Sequence, residues 1–137
     1  MNEKDNENIV KIRIARAKEL IGEAEEIAGL KFFNTAINRM YYASFSVVTA
    51  LLFQYGFVPK THSGTRTLLN KHFVLTGKIN KELSKFYFDI FEMREDADYD
   101  FEKVFSEKTT ISFLNKTKKF VKRIEELITE GMVPRLF

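Results

Sequence analysis

Cysteine is absent from this sequence, tryptophan is absent too, and proline occurs only at Pro59 and Pro134. Without cysteine there can be no disulfide, no thiolate zinc site and no cysteine nucleophile, which fits a reducing compartment. Six glycines and two prolines in 137 residues leave long stretches free of both, and such stretches favour helices. An excess of one charge is also missing. The 22 basic and 19 acidic residues are interleaved and sum to +3. That is too mild to demand a nucleic-acid partner, although basic residues gathered on one face would accept one. The first ten residues, MNEKDNENIV, lack the basic start and apolar run of a signal peptide. The longest apolar candidate, Tyr41 to Phe53, is too short to span a bilayer and is interrupted by Ser44, Ser46 and Thr49. A cytoplasmic protein with no membrane contact is expected, folded as one domain over residues 1–137.

What is abundant is phenylalanine, 14 residues, beside 5 tyrosines. Most of these rings should be core or interface. No segment alternates with period two, and no internal repeat or linker is evident.

A first helix is predicted from about Asn8 to Ala28, with Ile12, Ala15, Leu20, Ala24 and Ile27 as its apolar stripe and Gly29 at its C′ position. A second spans about Phe32 to Tyr55. It is apolar over most of its circumference and should be the central helix; Gly56 ends it and Pro59 prevents resumption. Lys60 to Thr67 is polar and turn-like, and a short helix follows from about Arg66 to Leu75, stopped at Thr76-Gly77. Asn80 is the expected N-cap of the next helix, whose stripe is Leu83, Phe86, Tyr87, Ile90, Phe91, Arg94, Ala97 and Phe101. The last helix should start near Ser106, with a possible break around Thr109 and Thr110, and reach Glu130, capped by Gly131 before the partly apolar tail Met132 to Phe137. The fold class is all-α: an up-and-down bundle of about five helices.

Arg94 stands on an apolar stripe where pattern alone calls for a hydrophobe. Asp98 lies four residues on, within reach on the same face, and Tyr99 follows. One reading is a structural ion pair at the bundle edge; the other is a guanidinium that binds phosphate bidentately. A second cluster is Asn38-Arg39-Met40-Tyr41-Tyr42 on the central helix, where the paired tyrosines are either core, with a hydroxyl satisfied at the rim, or a stacking platform for a base, and Asn38 and Arg39 lie within a turn of Tyr42. A third is Lys60-Thr61-His62-Ser63-Gly64-Thr65, in which His62 could be a general base, a metal ligand or a capping group. His72, the other histidine, has no evident partner. There is no Gly-rich phosphate loop, paired-histidine zinc helix or Gly-x-Ser-x-Gly elbow. Two isolated histidines and no cysteine give no basis for a metal site, and no cofactor is expected.

The runs Ala36-Ile37-Asn38-Arg39-Met40-Tyr41-Tyr42-Ala43, Lys60-Thr61-His62-Ser63-Gly64 and Arg94-Glu95-Asp96-Ala97-Asp98-Tyr99 occur in that order with helices between them. In this the chain resembles the HEPN superfamily, specifically its small stand-alone members, over about Val10 to Leu127. The resemblance implies a helical bundle that usually dimerises. It also implies a partnership with a minimal nucleotidyltransferase as a toxin–antitoxin pair. Many members are metal-independent ribonucleases whose motif is an arginine followed, one to two turns along the same helix, by a histidine. The arginine corresponds to Arg94. Where the histidine would stand, this chain has Tyr99, Asp100 and Phe101. The leading expectation is therefore a nucleotide- or RNA-binding module with Arg94, Asn38, Arg39, Tyr42 and Lys60 at the ligand. The alternatives are a ribonuclease using Arg94 and Asp98 with His62 or Tyr99 in place of the missing histidine, and a purely structural interaction protein. His62 discriminates: a ring near Arg94 favours the enzyme.

Overall fold

A computed structural model describes residues 3–132 of the chain. The described residues form five helices and no strand: α1 (Glu3–Gly29), α2 (Phe33–Gln54), α3 (His62–Leu69), α4 (Lys81–Tyr99) and α5 (Glu107–Met132). A single π turn, Asn70–Val74, follows α3 directly, with the Leu75 amide donating to the Asn70 carbonyl at 2.9 Å. The tail beyond Met132, noted as partly apolar in the sequence, lies outside the described residues.

α2 is central, as its nearly all-round apolar character predicts, and packs against each of the other four helices. Ala36, Ile37, Met40, Tyr41, Val47, Val48, Leu51 and Leu52 are buried on it. Cross-links set the directions. Arg13 Nη1 donates to the Thr49 carbonyl at 3.2 Å and Arg39 meets Glu23 at 3.5 Å, so α1 runs antiparallel to α2. Asn38 meets Asp98 while Tyr41 packs on Tyr87 and Phe91, so α4 is antiparallel to α2 as well. Asn34 holds Phe105 and Gln54 holds Ile128, so α5 runs parallel to α2. Phe120 of α5 stacks on Tyr87 of α4 at 5.3 Å and closes the core.

Several boundaries differ from expectation, each for a local reason. α1 starts at Glu3 rather than Asn8, with Glu3 and Asp5 in its first turn, where carboxylates favour the helix dipole. Its buried stripe is Val10, Ala17, Leu20 and Ala24; Ile12 is 67% exposed and Ala15 is exposed too. Gly29 is the last helical residue and not C′. That place belongs to Lys31, in the left-handed region with φ 68, where its amide donates to Ala28 and that of Phe32 reaches back to Ile27. The same pair of bonds ends α2 with Gly56 at φ 88, as expected there.

The turn-like Lys60–Thr67 segment is mostly helix. Thr61 is an N-cap whose hydroxyl accepts the Gly64 amide at 2.9 Å, and Thr65 and Leu69 are buried beneath. Asn80 caps α4 as predicted, accepting from the Leu83 amide at 2.8 Å. α4 ends at Tyr99, so Phe101, placed on its stripe by pattern, is 97% exposed in the following loop. α5 is unbroken at Thr109 and Thr110: Ser106 accepts the Thr109 amide and the Thr110 hydroxyl bonds the Ser106 carbonyl. Gly131 continues α5 rather than capping it.

Candidate functional site

The three sequence clusters meet where α2, α3 and α4 pack together. Tyr41 is the hub, fully buried on α2. The Arg94 guanidinium lies 5.0 Å from the centre of its ring and 6.0 Å from that of Tyr42. The Tyr41 hydroxyl is 2.6 Å from His62 Nδ1. His62 rests on Phe45 at 4.4 Å, half-buried. It is the first residue of α3, so the Thr61 cap that starts this helix also positions the imidazole.

Arg94 is 93% hidden, at 7% exposure, yet it makes no hydrogen bond within the described residues. Its Nη1 lies 3.6 Å from Asp98 and its Nη2 4.0 Å from Glu95, ion-pair distances rather than hydrogen-bond ones. Nε is buried without an acceptor. Asp98 is held instead by Asn38 Nδ2, at 3.1 and 3.3 Å from its two oxygens. The carboxylate thus offsets the guanidinium charge without using its donors.

Burial, and next the Arg94 cation, hold His62 below its ordinary 6.5, while Glu95 opposes them. The ring is therefore neutral at pH 7. Burial raises the Tyr41 phenol far above its ordinary range, with Arg94 opposing, and burial does the same to the neighbouring Tyr87. Tyr41 stays protonated. With the phenol donating to Nδ1, His62 Nε2 carries the ring proton; with Nδ1–H donating instead, Nε2 offers a lone pair. The pair can present either a proton or a base at Nε2.

The other candidates separate. Asn38 and Tyr42 sit beside Arg94. Arg39 bonds the Asn38 side-chain oxygen at 2.7 Å and pairs with Glu23 at 3.5 Å. Lys60 is exposed and has no partner among the described residues. Tyr99 is 75% exposed at the end of α4, outside the Tyr41–His62 contact. His72, unpartnered in the sequence reading, stacks on Phe57 at 4.4 Å. Sequence reasoning treated Tyr41 as part of a core pair and missed its bond to His62. It also missed Arg66, whose guanidinium lies 4.4 Å from the Phe91 ring and 5.0 Å from that of Phe88. Around Arg94 stand the carboxylates of Asp98 and Glu95, the Asn38 amide and the faces of Tyr41 and Tyr42; an anion there would have to compete with the two carboxylates for the guanidinium, and the rings suit a flat group. Among the described residues no three His, Cys, Asp or Glu side chains gather as metal ligands would, and no helix is long and apolar enough to cross a membrane.

Comparison with known proteins gives this arrangement a family. A UPF0332 protein of Thermotoga maritima is 39% identical over 95% of this chain and 97% of its own length. A protein of Methanocaldococcus jannaschii named "Putative toxin" is 32% identical over 79% of this chain and 78% of its own. A UPF0332 protein of Archaeoglobus fulgidus is 27% identical over 89% of this chain and 97% of its own. The HEPN domain model matches residues 10–127, the span that contains Arg94, His62 and Tyr41, and the chain belongs to the HEPN domain family.

Proposed function

We propose that this chain is a toxin-type HEPN protein that binds RNA or a nucleotide by a phosphodiester at Arg94. One observation carries the reading: an arginine only 7% exposed whose Nε is buried without an acceptor and whose Nη atoms meet Asp98 and Glu95 only at ion-pair distances of 3.6 and 4.0 Å. Buried donors are almost always satisfied, and leaving one unmet costs about 1–3 kcal/mol. A planar fork without acceptors is what a phosphate oxygen pair completes. The relative that carries the toxin name agrees with this class. Assembly as a homodimer and work beside a nucleotidyltransferase-type partner belong to the same proposal. Support for a protein interface near Arg94 comes from Tyr99, Phe101 and Val104, which are 75%, 97% and 77% exposed just beyond it. The test is a fluorescence-anisotropy titration of short single-stranded RNA into wild type and Arg94→Lys. Lysine keeps the charge and loses the fork, so binding should fail with the fold intact. No measurable wild-type affinity for RNA or nucleotides removes the reading.

The contact between Tyr41 and His62 favours a second, catalytic reading. A neutral imidazole can take the 2′-hydroxyl proton as the 2′ oxygen attacks phosphorus, while Arg94 balances the growing negative charge. The 5′ oxygen leaves with a proton from a separate acid, and a cyclic 2′,3′-phosphate remains. Cleavage that survives a chelator and is lost in His62→Gln supports this reading. Equal cleavage by wild type and His62→Gln refutes it.

A further inference from the structure

A groove of about 660 Å³ lies between α1, α2 and the Phe57–Pro59 segment. Arg13 and Arg16 of α1 and Arg39 of α2 line it, with the rings of Tyr42 and Phe45. Its volume lies within the range of ordinary ligand sites. The charges are not all neutralised. Arg16 and Arg39 share Glu23 at 3.1 and 3.5 Å, and Arg16 also meets Glu19. Among the described residues Arg13 meets no carboxylate; it donates to the Thr49 carbonyl and lies over the Phe53 ring at 5.1 Å. A half-buried cation therefore faces the groove in surplus.

The groove also shares a wall with the Arg94 site. Asn38 lines it and bonds Asp98, Tyr42 lines it and lies 6.0 Å from the Arg94 guanidinium, and Phe45 lines it and packs on His62. From this continuity we infer that the groove is the subsite for the nucleotides flanking the phosphodiester at Arg94 in single-stranded RNA. One backbone phosphate lies on Arg13, its neighbour takes the donors of Arg16 that Glu19 and Glu23 leave free, and a base lies against Tyr42 and Phe45. Guanidiniums alternating with aromatic faces along a path are the usual means of holding a single strand without reading its sequence. A lone nucleoside triphosphate fits less well, because Glu23 already occupies donors of Arg16 and Arg39 and its charge opposes a dense phosphate cluster. The inference rests on the phosphodiester reading of Arg94.

The test compares three proteins, each first shown by circular dichroism to be folded: wild type, the double variant Arg13→Gln with Arg16→Gln, and Arg94→Lys. The probes are a labelled oligoribonucleotide of about eight nucleotides, within ordinary single-strand site sizes, a dinucleoside monophosphate and a nucleoside triphosphate. The double variant should bind the oligomer about tenfold or more weakly at low salt. Its salt slope should be shallower by about 1.4, two charges at roughly 0.7 each. Its affinity for the dinucleotide should be unchanged. Arg94→Lys should lose both ligands. If the double variant keeps the wild-type oligomer affinity and slope while Arg94→Lys loses them, the subsite is refuted and the phosphodiester site stands. If wild type binds no RNA, both fall together. If the triphosphate alone stabilises wild type and not the double variant, the groove is a mononucleotide site and the strand proposal is overturned.

Discussion

Replacing Arg94 by methionine separates a binding arginine from a structural one. Methionine keeps an unbranched apolar stem and removes the charge and every donor. The loss of the guanidinium over Tyr41 and Tyr42, at 5.0 and 6.0 Å and largely out of water, costs about 2 kcal/mol. The loss of the attraction to Asp98, 3.6 Å away with that side chain 28% exposed, costs up to about 1 kcal/mol. Against this, a buried Nε without an acceptor disappears, which returns about 1–3 kcal/mol. Asp98 is not stranded, because Asn38 still bonds both its oxygens. The terms largely offset one another, so Arg94→Met should lie within about 2 kcal/mol of wild type, a melting shift of several degrees at most. Breaking a fully buried pair would instead cost about 3–5 kcal/mol. Urea and thermal melts of wild type, Arg94→Met and Arg94→Lys, read beside the RNA titration, are the assay. A loss of about 3 kcal/mol or more in Arg94→Met would mean the arginine holds the bundle together, and the argument from its unmet donors would collapse.

Four further outcomes are expected. Because the folded His62 titrates below its unfolded 6.5, the unfolded state binds the extra proton first, and stability falls as pH drops below about 6.5; melting temperatures of wild type relative to His62→Gln should decline from pH 7 to pH 5, and a constant difference refutes the coupling. Asn34 accepts the Phe105 amide at 3.1 Å and donates to the Lys103 carbonyl at 2.7 Å; Asn34→Ala should cost about 1–2 kcal/mol and speed proteolysis at Phe101–Lys103, whereas an unchanged digestion pattern would show the loop is held otherwise. Lys31→Gly should raise stability by up to about 1 kcal/mol, since glycine takes a left-handed φ without penalty and only an exposed ion pair to Glu107 is lost; a lower melting temperature contradicts this. Light scattering at micromolar concentration should show a dimer that Phe101→Asp weakens, and a monomeric wild type would count against the assembly.

Much of the bundle was legible because its breaks are chemical. Asn80 marks a start, Gly56 and Gly77 mark stops, and the circumferential apolar character of α2 announces a central helix. The short helix expected from about Arg66 begins a turn earlier, at His62, and its expected second half is the π turn; the start was hidden because Thr61, Ser63, Gly64, Thr65 and Thr67 all have turn chemistry, and helicity there comes from the cap and from burying Thr65 and Leu69, a tertiary effect. The α1 stripe was misjudged because its apolar residues populate more than one face, so Ile12 and Val10 compete on pattern alone. Arg94 stood out as a charge on an apolar stripe. The Tyr41–His62 bond did not, because the residues are 21 apart and α3 must pack on α2 before they meet. Arg13 and Arg16, three apart on α1, match no motif in the sequence; only the packing of α1 against α2 brings them into one groove with Arg39.

The π turn at Asn70–Val74 bears on how this chain tolerates changes in length. It holds one residue more than an α-helical turn would, and it lies between His62 and Arg94 in sequence. A one-residue deletion there can be absorbed by tightening the turn to α-helical bonding, with the adjustment taken up by the exposed Leu75–Lys78 stretch before Ile79 re-enters the core. A deletion of the same size inside α4 would rotate Arg94 about 100° off its tyrosines. Length variation within the family is therefore expected to concentrate at residues 70–78, where the chain can lose or gain a residue while the imidazole and the guanidinium stay in register.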